Sequence, residues 1–149
     1  CDAFHQTASS PDGEGAFQAM SKALADACLK PSDIDYINAH GTGTPNNDMS
    51  ESQAMKRLFG EQLPPVSSTK SLTGHTTSAS GSVEAVICIL ALQNGFVPVN
   101  YAWANPMEDG IIPNMELKPS RKLRHILCNS FGFGGNDSSI VLTLADQAV

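Results

Sequence analysis

With 149 residues, 41% hydrophobic and 16% charged, the chain has the composition of a folded globular domain with one sizeable core. Its formal charge of −6 argues against general nucleic-acid binding, which needs a basic face against phosphates. The longest uninterrupted apolar run, Ala85 to Leu92, is too short to cross a bilayer, and no signal-peptide pattern opens the chain.

Residues 1–15 are polar and turn-rich, with Ser9-Ser10-Pro11-Asp12-Gly13 as the main breaker, and His5 reads as a surface or capping residue there. From Ala16 the residues Phe17, Met20, Leu24 and Cys28 recur at helical spacing until Pro31 stops the pattern, which predicts an amphipathic helix on a sheet. Ile34 to Ala39 is β-branched and aromatic, a buried parallel strand that delivers His40 to its carboxyl end. The Gly41-Thr42-Gly43-Thr44-Pro45 turn follows, then Asn46-Asn47-Asp48 as capping residues of a helix with Met55, Leu58 and Phe59 inward and Gly60 as its stop. This turn lacks the third glycine of a dinucleotide fingerprint and the Gly-Lys-Ser/Thr of a P-loop, so a phosphate cradle is a weak reading.

Pro64-Pro65 precedes a short strand at Val66 to Ser68, and a polar loop carries Lys70 and His75 into the most apolar helix, Ser78 to Asn94. Val83, Val86, Ile87 and Leu90 give that helix an apolar breadth that predicts burial on most sides. Glu84 stands out within it: either it lies on the one polar stripe, or it is buried and needs a cation to offset its desolvation. Gly95 ends the helix, Phe96 to Asn100 is extended, and Tyr101 to Pro119 holds three prolines without periodicity, a loop spread over the surface or a partner. The basic cluster Lys118, Arg121, Lys122 and Arg124 reads as a solubilising surface turn. Leu123 to Asn129 and Ser139 to Leu144 are strands joined by the aromatic, Gly-rich turn from Phe131 to Asp137. Alternating strands and helices followed by a strand pair predict one α/β domain over residues 1–149, a mixed sheet with helices on both faces.

Cysteines at 1, 28, 88 and 128 form no CxxC pair and sit mostly in apolar segments. Buried free thiols in a reducing, cytoplasmic compartment are therefore expected, rather than disulfides or zinc ligands. A chain that opens on Cys1 rather than Met reads as a piece of something longer.

Three loops, bearing His40, Lys70 with His75, and Phe131 with Phe133, leave strand ends, and in open α/β sheets such loops build sites at one rim. Neutral imidazoles and the N–H groups of a glycine turn suit chemistry that places negative charge on an oxygen. Metal binding by His40 and His75 is the rival constellation, but only Asp48 stands near them at ligand spacing.

Asn38-Ala-His40-Gly-Thr-Gly-Thr-Pro, then Ser-Ser-Thr-Lys70-Ser-Leu-Thr-Gly-His75, then Asn129-Ser-Phe-Gly-Phe133-Gly-Gly closely resemble the C-terminal half of β-ketoacyl-acyl carrier protein synthases, most of all the condensing enzyme II type. The resemblance runs from Asp2 to the end of the chain. It implies a thiolase-like C-terminal half whose five-stranded type of mixed sheet lacks its first strand, and a decarboxylative Claisen condensation of malonyl-acyl carrier protein with an acyl thioester in fatty acid or polyketide elongation. His40 and His75 would be the histidines of a Cys-His-His triad. Lys70 would position the histidine loop through Asp48 and Glu51. Phe133 would be a gate that completes the oxyanion hole, Phe131 would line the malonyl pocket, and Thr42 and Thr44 would bind the phosphopantetheine arm. Asn38, Glu84 and Asn129 fall where family members hold a structural monovalent cation, Na+ or K+; no other cofactor is implied. Implied partners are acyl carrier protein, malonyl and acyl thioesters and a second subunit of a homodimer, with neither nucleic acid nor a membrane.

None of Cys1, Cys28, Cys88 or Cys128 occupies the family's nucleophile motif, so the nucleophile-bearing N-terminal half is absent and the chain is expected to be inactive alone. Asn136-Asp137 also departs from the usual Thr-Asn after the paired glycines. A non-catalytic dimerisation or carrier-protein docking module is the alternative of a different class, and a metal-dependent hydrolase is a third.

Overall fold

The computed structural model describes residues 9–117 and 122–145. Cys1, His5, Lys118 and Arg121 lie outside them.

Helix α1 (Glu14–Asp26) is followed by strand β1 (Tyr36–Asn38), helix α2 (Pro45–Phe59), strand β2 (Val66–Ser67), the single turn α3 (Lys70–Thr73), helix α4 (Ser80–Asn94) and the strands β3 (His125–Ser130) and β4 (Ser138–Thr143). Four strands form one sheet in the order β2-β1-β3-β4. β1 runs parallel to both β2 and β3, and β4 closes the sheet antiparallel to β3. Between α4 and β3 the described chain contains neither helix nor strand, as its three prolines predict.

Strand alternation divides the core in two. Ile37, Leu127 and Val141 face α1 and α2, together with Met20, Leu24, Met55 and Phe59. Tyr36, Ile126, Cys128 and Leu142 face α4, against Cys88, Ala91 and Leu92. Helices thus cover both faces. α1 and α2 meet so closely at Gly13 that an added Cβ would lie 2.2 Å from the Ser50 carbonyl oxygen, at a φ of +71° that itself favours glycine.

Several expectations change at the element level. α1 stops at Asp26, and Cys28 lies beyond it, exposed and at a φ of +55°, so it is not a core residue. Cys88 and Cys128 are buried as predicted. Phe17 is half-buried, with the Arg57 guanidinium 3.7 Å above its ring centre. The cap of α2 is Thr44, whose side chain accepts the Asn47 N–H, with Pro45 opening the helix behind it; Asn46, Asn47 and Asp48 are already inside. α4 is not buried all round. Its inward face is Ser80, Glu84, Cys88, Ala91 and Leu92, whereas Val86, Ile89 and Leu90 are exposed. Of the predicted face, Val86 and Leu90 point away from the sheet.

Candidate active site

β1 and β2 pair in parallel at Ile37↔Val66 and Asn38↔Ser67, so the loops leaving their carboxyl ends start side by side. The Ala39 N–H donates to the Ser67 carbonyl at 2.9 Å, one rung beyond β1, and His40 follows. Glu51, about two turns into α2 and on its buried side, then takes the loop in hand. Its Oε1 accepts the His40 N–H at 2.9 Å and its Oε2 the Gly41 N–H at 3.0 Å. The side-chain amides of Asn47 and Asn129 complete its set of donors. Burial pushes the Glu51 carboxyl above its ordinary range, against the opposing pull of these donors.

The structure gathers His40, Lys70, His75 and Phe131. The rings of His40 and His75 meet edge to face, with centroids 5.5 Å apart and planes at 87°. Phe131 tilts against His40 at 5.8 Å. Lys70 Nζ lies 3.3 Å from His40 Nδ1 and forms a buried ion pair with Glu84. Burial, with the Lys70 ammonium and His75 nearby, holds the His40 imidazole down to about 3, so the ring is neutral at physiological pH. With the Lys70 ammonium donating to His40 Nδ1, the ring's proton sits on Nε2. The Thr77 N–H donates to His75 Nδ1 at 3.2 Å, which assigns that ring's proton to Nε2 as well. Two Nε2–H donors on touching rings can stabilise one oxyanion, the chemistry expected of the three loops.

Other residues fall differently. The partner of Lys70 is Glu84, not Asp48 or Glu51: Glu51 is filled by backbone and amide donors, and Asp48 lies against the Gly43 backbone, its carboxyl raised by burial. Glu84 is therefore the buried carboxylate with a cation, and the exposed-stripe alternative is overturned. Thr42 and Thr44 place their hydroxyls 3.0 Å apart on the exposed turn. Phe133 is 77% exposed and is not among the gathered side chains; His75 is exposed as well. The set Asn38, Glu84 and Asn129 is divided by the sheet: Asn38 shares the α4 side with Tyr36, while Asn129 points to the α2 side, donating to Glu51 and accepting the Ser139 hydroxyl. Asn38 Oδ1 and Glu84 Oε2 are buried without a hydrogen-bond partner, and such oxygens suit a hard cation. Among the described residues no three His, Cys, Asp or Glu side chains cluster as a metal-ligand set.

Sequence reasoning did not find the clamp on His40 by Glu51 or the ion pair of Lys70 with Glu84. The signal for the second was present: a carboxylate in an apolar helix demands a cation, and Lys70 is the buried cation on the preceding loop. A cavity of about 190 Å³ lies behind the loop, lined by Gly41, Asp48, Glu51, Ser68, Asn100 and Trp103 but by none of the gathered side chains.

Residues 1–103 match the family of the β-ketoacyl synthase C-terminal domain. The chain is 43% identical over 145 residues to the 3-oxoacyl-[acyl-carrier-protein] synthase 2 of Vibrio harveyi, covering 94% of this chain and 35% of that one. It is 42% identical over 152 residues to the actinorhodin polyketide putative β-ketoacyl synthase 1 of Streptomyces coelicolor, covering 99% and 32%. The fold superposes with a TM-score of 0.89 on a type II polyketide ketosynthase solved in complex with its acyl-carrier protein, at 35% identity over 97% of this chain and 36% of that one. The chain thus spans about a third of the length of these relatives.

Proposed function

The chain belongs to the β-ketoacyl synthase family, as its C-terminal domain, and on that premise we propose that it is the C-terminal portion of a 3-oxoacyl-[acyl-carrier-protein] synthase, an acyltransferase that condenses malonyl-acyl carrier protein with an acyl thioester. The observation that carries this reading is the edge contact of His40 with His75, each accepting at Nδ1 and so carrying its proton on Nε2. Decarboxylation of a malonyl thioester leaves an enolate oxygen, and two preorganised N–H donors stabilise it without carrying a competing positive charge. Lys70 donates to Nδ1 of His40 and so keeps the ring proton on Nε2.

The acyl-bearing thiol comes from outside these 149 residues. A hydrogen bond with Cys128 and burial push the Cys88 thiol far above its ordinary range, the opposite of an activated nucleophile. Cys28 is exposed just past the end of α1. Phe133 and Phe131 would flank the malonyl thioester, and Thr42 and Thr44 would hold the phosphopantetheine arm that acyl carrier protein presents. Asn38 and Glu84 would hold a monovalent cation, Na+ or K+, which would offset the charge of Glu84 beside Lys70; Asn129, already bonded to Glu51 and Ser139, takes no part. A cytoplasmic homodimer is the assembly this reading implies.

The test is an assay of condensation with malonyl- and acyl-acyl carrier protein. The purified 149-residue chain should be inactive, and a protein that adds the upstream family half should be active and lose activity on His40→Ala or His75→Ala. Unchanged condensation by both variants would overturn the assignment. A non-catalytic docking module has no physical need to bring His40, Lys70 and His75 together.

A further inference from the structure

We propose that Ser68 and Asn100 are positioning residues that together set the approach of Lys70 to His40, an inference that rests on the active-site reading above. β2 ends at Ser67, so the N–H of Ser68 leaves the sheet with no strand to receive it. Asn100 Oδ1 accepts it at 2.9 Å. Asn100 is itself fixed: its N–H donates to the Asn114 carbonyl at 2.8 Å, and the Asn114 N–H donates back to the Val66 carbonyl at 2.6 Å. The irregular segment between α4 and β3 is thereby clasped to the free edge of the sheet, and its asparagine decides where the chain turns from strand into the Lys70 loop.

Ser68 carries that placement across to the neighbouring loop. Its hydroxyl donates to the Gly41 carbonyl at 3.1 Å and accepts the Lys70 N–H at 3.4 Å, so one buried oxygen touches both loops. The fit is close: a Cβ on Gly41 would lie 2.4 Å from that of Ser68, at a φ of +46°. The turn after His40 is then held from two directions, by Glu51 through the N–H groups of His40 and Gly41 and by Ser68 through the Gly41 carbonyl. Lys70 is tethered through its own backbone to the same hydroxyl and at its far end to Glu84, and between these two anchors its Nζ comes within 3.3 Å of His40 Nδ1. The unsatisfied alternative for the Ser68 N–H and the Gly41 carbonyl is costly in a buried setting, which makes the clasp a two-sided constraint.

The readout is the tautomer of His40 at pH 7, followed by its imidazole 15N signals in the whole 149-residue chain without substrate. Asn100→Leu keeps the shape but removes the acceptor; Asn100→Asp keeps an acceptor oxygen; Ser68→Ala removes the bridging hydroxyl. Withdrawal of the ammonium removes the donor that keeps Nδ1 unprotonated, so N100L and S68A should show a mixture of Nδ1–H and Nε2–H signals, and N100D should retain the wild-type Nε2–H signals. If N100L fails to fold by its amide spectrum, S68A with N100D decides in the same way. Wild-type Nε2–H signals in folded S68A, or a mixture in N100D as in N100L, overturn the proposal. With no substrate present, the result is independent of condensing activity: an inactive full-length protein would sink the functional reading and leave these spectra as they are.

Discussion

Lys70 and Glu84 form an ion pair at 5% and 1% side-chain exposure, which makes their mutual dependence the sharpest energetic feature at the scale of single residues. Two desolvated charges are tolerated only together, so Glu84→Ala, leaving the ammonium alone, should cost about 3–5 kcal/mol in urea unfolding, while the double variant Lys70→Met, Glu84→Leu should recover most of it. Recovery of stability with loss of condensation in the full-length protein would separate the two roles of Lys70. His40 adds a pH dependence whose sign follows from its depressed value. Between about 6.5, the ordinary value, and about 3, the unfolded ring binds a proton that the folded ring does not. Stability from this residue is therefore full above that window and falls as pH drops through it, by about 1.4 kcal/mol per pH unit. Comparing the wild type with His40→Phe over pH 4 to 7 should show the slope only in the wild type. Glu51, raised by burial, acts with the opposite sign but is common to both proteins and drops out of the difference.

At the scale of elements, α2 ties the site to the fold. Thr44 caps it beneath the exposed turn, and Glu51, about two turns further in, grips the backbone of His40. Thr44→Ala should cost about 1 kcal/mol of stability by thermal or urea unfolding, and Thr44→Ser, which keeps the hydroxyl, only a fraction of that. In the full-length protein the serine variant also keeps the hydroxyl 3.0 Å from that of Thr42, so it should spare the affinity for acyl carrier protein that the alanine variant weakens. α4 shows why periodicity alone misreads a helix. Its mean composition is so apolar that no stripe stands out, and the face that meets the sheet is the one with small residues and a carboxylate: Ser80, Glu84 and Cys88 permit close approach and give Lys70 its partner.

The whole molecule is a three-layer α/β unit with an apolar outer surface on one side. Val86 at 56%, Ile89 at 41% and Leu90 at 46% exposure lie together on α4, and Ile140 at 42% lies on the edge strand β4 of the same sheet face. A surface of this kind is covered in an intact assembly or drives association. The isolated chain should self-associate with rising concentration in analytical ultracentrifugation, and Ile89→Lys with Leu90→Glu should abolish this without lowering stability by more than about 0.5 kcal/mol. A monomeric wild-type chain at high concentration would contradict this reading of the surface.

The amino-acid order by itself determined the family, the α/β class and the succession of elements, and it singled out His40, Lys70 and His75, which the fold brings together. Strand-to-turn signals and glycine-rich motifs act over a few residues, so their physical content is local and readable in one dimension. Tertiary structure alone decided which face each side chain meets. Asn38 and Asn129 went to opposite sides of the sheet, Lys70 to Glu84 instead of Asp48 and Glu51, and Cys28 to solvent. The inward side of α4 proved to be its least aliphatic one. Those outcomes depend on strand register and on the depth at which a helix docks, quantities set by the packing of segments far apart in the chain, and a buried charge takes the partner that this packing brings within reach.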